Sequence, residues 1–251
     1  MKIAHMIGSV GSFIVSVHIF SRLCSENYIA YLKLNRKPLP MTFIMAGLIF
    51  IFVQPFINAT AELNSHFPFP EFMAGVQRWV QETEDQYQKL TDAFLEMKTY
   101  KDLALNLFVI GFVAALSEEI FFRGALQRLL MEWTGSIHKG VWITAVAFSA
   151  FHMEFSGFFP RIILGALLGY MFAWSRSLWL PVFAHFVNNG AAVMMSFYVQ
   201  KGKLGKEIEN VGTGQGAVLP VIISVVLTSG FLLSLYRMEK VRQMEEELKK
   251  E

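Results

Sequence analysis

Three short stretches of this chain place residues capable of acid–base chemistry inside otherwise apolar sequence. The first, Leu116-Ser117-Glu118-Glu119-Ile120-Phe121-Phe122-Arg123-Gly124, holds two acids and an arginine. The second, Phe148-Ser149-Ala150-Phe151-His152, ends on a histidine with Glu154 two residues later. The third runs from Pro181 through His185, Asn188 and Asn189. An ionised group moved into hydrocarbon costs roughly 2.5–3.5 kcal/mol on insertion scales, so such residues mark function by default.

Helical spacing assigns them different parts. Glu119 and Arg123 stand at i and i+4, so they meet and neutralise one another in a low dielectric. Glu118 points about a quarter-turn away and is free to face a cavity. His185 and Asn189, also i and i+4, are directed at one point, whereas Asn188 lies on another face and is the weaker candidate. Taken singly, each has a plainer reading: a structural ion pair with Glu118 near a helix end, or a hydrogen-bonded packing histidine.

Two chemistries suit Glu118, His152, His185 and Asn189 together. In one, Glu118 and His152 deprotonate a water that attacks a peptide carbonyl, and His185 and Asn189 hold the oxyanion. In the other, Glu118, His152 and His185 bind a divalent metal such as zinc, which lowers the pKa of its water. Asparagine is a poor zinc ligand, which tilts the set toward water activation. Neither scheme needs a Ser or Cys nucleophile, and HExxH is absent.

The elements that must position these residues are membrane helices. The 251 residues are 54% hydrophobic and 17% charged, with a mean hydropathy of +0.42, the composition of an all-α polytopic membrane bundle rather than a soluble domain. The net charge of +2, with both signs mixed along the chain, excludes the basic stripe of a nucleic-acid binder. The lone Cys24 excludes an internal disulfide and a cysteine zinc site.

Seven segments approach the roughly 20 residues a bilayer core requires: Ile3–Phe20, Met41–Ala59, Leu103–Phe122, Val141–Phe155, Phe158–Trp174, Leu178–Tyr198 and Val218–Tyr236. Gln54 and Pro55 interrupt the second, and Pro181 bends or starts the sixth. Lys33, Arg36 and Lys37, then Arg123, Arg128 and Lys139, then Arg176, then Arg237, Lys240 and Arg242 share one parity and mark the cytoplasmic side. Lys201, Lys203 and Lys206 dissent from the other side.

The stretch His66–Lys101 is helix-compatible after Pro70, with Phe72, Val76, Trp79, Val80, Tyr87, Leu90, Phe94 and Leu95 near helical spacing: an amphipathic helix or pair capping the bundle or lying on the membrane. The charged tail from Arg237 reads as a solvated helix end. His5, His18, His66 and His138 lack chemical company and read as structural or solvated. The organisation is therefore 1–102, helices plus an outer amphipathic segment; 103–199, the core carrying the chemistry; and 200–251, a last helix with a charged tail.

Glu118, Glu119 and Arg123, then Phe148 and His152, then His185 and Asn189, in this order on successive apolar segments, resemble the CPBP family of CAAX proteases and bacteriocin-processing (Abi) enzymes, over roughly Leu103–Met195. The resemblance implies a multi-pass intramembrane endopeptidase of the bacterial cytoplasmic membrane, embedded in lipid, acting on membrane-associated proteins or peptides, with about seven or eight helices around a polar cavity. It implies that Glu118 and His152 activate water, that His185 and Asn189 stabilise the oxyanion or assist a metal, and that Glu119, Arg123 and Phe148 support them. The prenyl-protein branch has eight membrane helices; seven are counted here. The alternatives are a non-proteolytic immunity or scaffold protein that uses the same residues as a buried polar network, and a transporter, against which stands the lack of a repeated half.

One geometric demand follows. Glu118 approaches the far end of a helix descending from outside, and His152 the outer end of a helix ascending. For the two to meet, the turns before Leu103 must be helical and project above the membrane, bringing Glu118 nearer mid-membrane.

Overall fold

The structure is a computed structural model that describes residues 8, 10–66 and 70–249; Ile3 and His5 lie outside these. Helices dominate, with no strand among the described residues. A π-helical turn, Val10–Val15, leads into α1 (Ser16–Cys24). The short α2 (Tyr28–Tyr31) follows, capped by the Asn27 side chain. The second apolar segment is two helices, α3 (Pro40–Phe52) and α4 (Gln54–Ser65), broken where Gln54 and Pro55 interrupt the run. The outer amphipathic segment is a single long helix, α5 (Ala74–Leu95), entered through a 3-10 turn.

The third membrane helix, α6 (Tyr100–Thr134), is 35 residues long. Its N-terminus is fixed by a reciprocal capping box between Thr99 and Asp102, so the turns before Leu103 are helical. Two π-helical stretches, Leu107–Val113 and Ile120–Gln127, flank the α-helical turn that carries Glu118 and Glu119. The remaining helices are α7 (Ile137–Phe151), α8 (Phe158–Ser175), α9 (Trp179–Gln200) and α10 (Val218–Leu248). Five helices or helix pairs are long and apolar enough to cross a membrane, and α7 and the Gly11–Cys24 segment are shorter apolar ones. Pro181 sits in the first turn of α9, where a proline starts a helix without breaking it.

The centre of the bundle is α9. Its Leu180 and Ala184 pack with Ala46, Ile49 and Phe50 of α3, Leu168 and Met171 of α8 and Leu235 of α10. Val182 joins a second cluster with Val17 of α1 and Ile120 of α6. Farther along, Val193 and Phe197 join Met97 and Leu103. Outward-facing Ile222, Val226 and Leu233 of α10 are more than half exposed, as lipid-facing side chains are.

Two helix ends depart from the sequence reading. Arg123 does not flank a connection: α6 runs on to Thr134, and Arg123 is fully buried within it. The tail after Arg237 is helical and exposed at most of its positions, but it is not wholly solvated. It continues α10 to Leu248 and buries Glu239 completely. Arg242 pairs with Glu239 at 3.0 Å and donates to the carbonyls of Ser175 and Lys37, so the buried charges compensate one another and cap the end of α8.

Candidate active site

Three of the four catalytic candidates, Glu118, His152 and His185, converge where α6, the end of α7 and α9 meet. Glu118 Oε2 stands 3.8 Å from His152 Nε2 and 3.8 Å from His185 Nε2. No hydrogen-bond partner reaches this buried oxygen among the described residues. Buried polar atoms are nearly always bonded, so an orphan of this kind asks for a functional account.

The rings have defined tautomers. His152 Nδ1 lies 2.8 Å from the carbonyl of Phe148. A carbonyl only accepts, so Nδ1 carries the proton and the neutral ring turns a lone pair on Nε2 toward Glu118. His185 Nδ1 lies 2.8 Å from Glu119 Oε1, and the same logic leaves its Nε2 unprotonated in the neutral ring. Three proton-accepting atoms therefore face one point.

Behind them is a brace. Arg123 Nη1 donates to the same Glu119 Oε1 at 2.8 Å, and its Nη2 donates to the carbonyl of Gly165 at 3.0 Å. Both side chains of the ion pair are fully buried, whereas Glu118 remains about one-fifth exposed. The Arg123 guanidinium also lies over the Phe148 ring, 4.8 Å from its centroid, and that ring packs against His152 and His185. Phe148 thus joins the brace to both histidines.

Gly165 and Gly169 make this arrangement possible. A Cβ at Gly165 would sit 3.2 Å from the Ala145 backbone, and one at Gly169 2.8 Å from Gln127 Oε1. Small residues at this spacing let α7 and α8 approach closely. They leave the carbonyls of Gly165 and Gly169 open to Arg123 and to Gln127 Nε2.

Asn189 lies one turn beyond His185 on α9, where Nδ2 donates to the carbonyl of Ile110 at 3.2 Å and Oδ1 accepts from Asn188. Asn188 in turn accepts from Gln54 Nε2 at 2.9 Å. Sequence reasoning missed this ladder and the His185–Glu119 bond. The break at Gln54–Pro55 was the visible sign that Gln54 is special; nothing local pairs residues 66 positions apart. The bystander histidines have ordinary partners: His18 the Tyr28 ring, His66 the Glu62 carbonyl, His138 the Tyr170 hydroxyl.

The loop after His152 is tied down from outside. Met153 adopts a left-handed φ of 52°. Glu154 pairs with Arg161, Asn64 of α4 donates to the carbonyl of Phe155, and Glu84 of α5 accepts from the Ser156 amide at 2.6 Å. Trp79 meets Phe155 edge-on, and Val80 is buried beneath. Helix α5 therefore caps the bundle at the end where His152 sits.

Residues 100–191 match the model of the family described as Type II CAAX prenyl endopeptidase Rce1-like. This central segment is similar to the Rce1-like family. It contains Glu118, His152, His185 and Asn189, and the chain is an all-helical membrane protein. Among curated proteins, "Uncharacterized protein YpbD" of Bacillus subtilis is 27% identical over 111 residues, 42% of this chain and 54% of that protein. "Putative membrane peptidase YdiL" of the same organism is 28% identical over 105 residues, 42% of each chain. The match thus spans about half the length of these relatives or less. No solved structure matches the chain. The Rce1-like segment begins at Tyr100, the first residue of the capped helix that carries Glu118.

Proposed function

We propose that the chain is an endopeptidase cleaving peptide bonds of membrane-associated proteins or peptides with a water held by Glu118, His152 and His185. The observation that carries this is the meeting of one carboxylate oxygen and two imidazole Nε2 atoms, all acceptors, with no donor among them. A water supplies the two protons such a site lacks. The match of residues 100–191 to the Rce1-like family, and a relative named as a putative membrane peptidase, support the same reading.

In this scheme Glu118, assisted by His152, takes a proton from the water as its oxygen attacks the carbonyl carbon. Electrons move to the carbonyl oxygen, and His185, which takes up a proton from solvent at its free Nε2 with the Glu119 carboxylate behind Nδ1, donates it as a hydrogen bond to that oxyanion. Asn189 adds a second donor by releasing the Ile110 carbonyl. The proton held by Glu118 then passes to the amide nitrogen as the C–N bond breaks.

Two imidazoles and a carboxylate are a donor set zinc accepts. Among the described residues no three His, Cys, Asp or Glu side chains stand at ion-binding spacing, and the steps above use the protein groups alone.

The test is cleavage of a quenched-fluorescence peptide library by the full chain in liposomes. Glu118→Gln and His152→Ala should each lower the rate about 10²–10⁴-fold, the range of a lost general base, with the melting temperature kept. Activity should survive exhaustive chelation. Unchanged cleavage in both variants would refute the assignment, and loss on chelation with recovery on adding zinc would refute the metal-free scheme. A folded chain that cleaves nothing yet still confers immunity in cells would point to the scaffold role instead.

A further inference from the structure

At the end of the bundle away from His152, a cavity of about 890 Å³ opens between α8, α10 and the junction of α6 with α7. Arg128 on its wall is ten residues beyond Glu118 on α6, about 15 Å along a helix axis, and His138 on its wall is fourteen residues before His152 on α7. This space is separate from the catalytic centre.

Its polar wall is cationic: Lys33, Arg128, Arg176 and Lys240 line it, with Glu132 the acid among them. Glu132 is committed to Arg128 at 2.9 Å, and Arg128 further donates to the Tyr31 carbonyl. Among the described residues no ion pair reaches Lys33, Arg176 or Lys240. Lys33 and Arg176 both hold a left-handed backbone, at φ 59° and 51°. Hydrogen bonds from Leu178 to the Lys33 carbonyl, and from Ser177 to that of Arg36, fasten the two loops together. Burial, and then the charges of Arg128, Arg36 and Arg176, push the Lys33 ammonium below its ordinary pKa. Folding has thus set mutually repelling cations side by side in strained backbone, with Glu132, already paired to Arg128, as the acid on the wall.

The rest of the wall is of another kind. Phe172, Leu232 and Leu233 line it, Leu233 being more than half exposed on the lipid-facing side of α10. Trp174 and Tyr236, packed at 5.2 Å, stand on the same wall, as aromatic residues do at headgroup level. Cations on one side and an apolar, lipid-facing mouth on the other match one molecule class: a phosphate joined to acyl chains.

We propose that this cavity is a binding site for the phosphate headgroup of an anionic phospholipid, held by Lys33, Arg176 and Lys240 with its acyl chains along Leu233. Basic pockets between membrane helices suit such headgroups. A free phosphate compound shares the anion but leaves the apolar mouth uncovered.

Native mass spectrometry of the full chain in detergent tests this with dioleoylphosphatidylglycerol and dioleoylphosphatidylcholine. The glycerol lipid should stay bound and the choline lipid should not. The pair Lys33→Gln with Arg176→Gln should weaken retention at least about tenfold, while Lys33→Arg with Arg176→Lys preserves it. Should the neutral pair not fold, Lys240→Gln alone, at an exposed position, must still lower retention. Inorganic phosphate at equal concentration should not displace the lipid; if it does, the ligand is a free phosphate compound and the lipid proposal fails. Equal retention of both lipids, or native retention by the folded neutral pair, also overturns it.

Discussion

Glu119 carries more than the i,i+4 spacing suggests, because one of its oxygens accepts from both Arg123 and His185 at 2.8 Å. It balances a buried guanidinium and orients a histidine of the proposed site. Truncating Arg123 would leave the buried Glu119 carboxylate with only the His185 ring as its partner and no counter-charge from the guanidinium, and breaking a buried pair from one side costs about 3–5 kcal/mol. Arg123→Met should therefore unfold markedly earlier in detergent, read by circular dichroism. Adding Glu119→Gln removes the stranded charge and should recover most of that stability. Activity should stay low in the double variant, since an amide in place of the carboxylate no longer holds the His185 Nδ1–H with a charged acceptor. Full recovery of cleavage would show that Glu119 serves only as a counter-ion.

At the scale of elements, the depth problem posed by Glu118 and His152 is resolved by unequal helix lengths. Helix α6 has 35 residues with Glu118 near its middle, whereas α7 has 15 and delivers His152 to the same level. The seven apolar runs were legible because apolar patterning is local, and the helical start before Leu103 followed from the depth that Glu118 must reach. The end of α6 was not: a charge at residue 123 looks like the end of a span until two glycines on α8, some 42 residues away, offer it and Gln127 their carbonyls. Gly165→Val should push α7 from α8, costing about 1–3 kcal/mol as overpacking does, and lower cleavage by disturbing Arg123. Unaltered melting and cleavage would remove this packing from the account. Glu84 tests the cap instead. Its bond to the Ser156 amide steadies the loop that begins at His152, so Glu84→Ala should lower kcat several-fold, about 1 kcal/mol for one lost hydrogen bond, and leave KM and melting near native. A change in KM alone would place Glu84 in substrate entry.

For the whole molecule, the two ends are chemically unlike. One carries Lys33, Arg36, Arg128, Arg176 and Lys240 around the basic cavity and the loops stitched to it; the other carries α5 above the His152 loop. From the excess of cations we propose that the first end faces the cytoplasm; the opposite end, with the proposed peptidase site, would then face outward beneath α5. The chain contains its own probe of this. Cys24 is the one cysteine in the sequence, it is exposed, and it closes α1 just before the loop bearing Lys33 and Arg36. A membrane-impermeant maleimide should leave Cys24 unlabelled on intact cells and label it in inverted vesicles. Moving the thiol to the other end, with Cys24→Ser and Ser65→Cys, should reverse the pattern, because Ser65 ends α4 beside the α5 cap. Labelling of Cys24 on intact cells would invert the orientation, and substrates would then have to reach Glu118 from the cytoplasmic side.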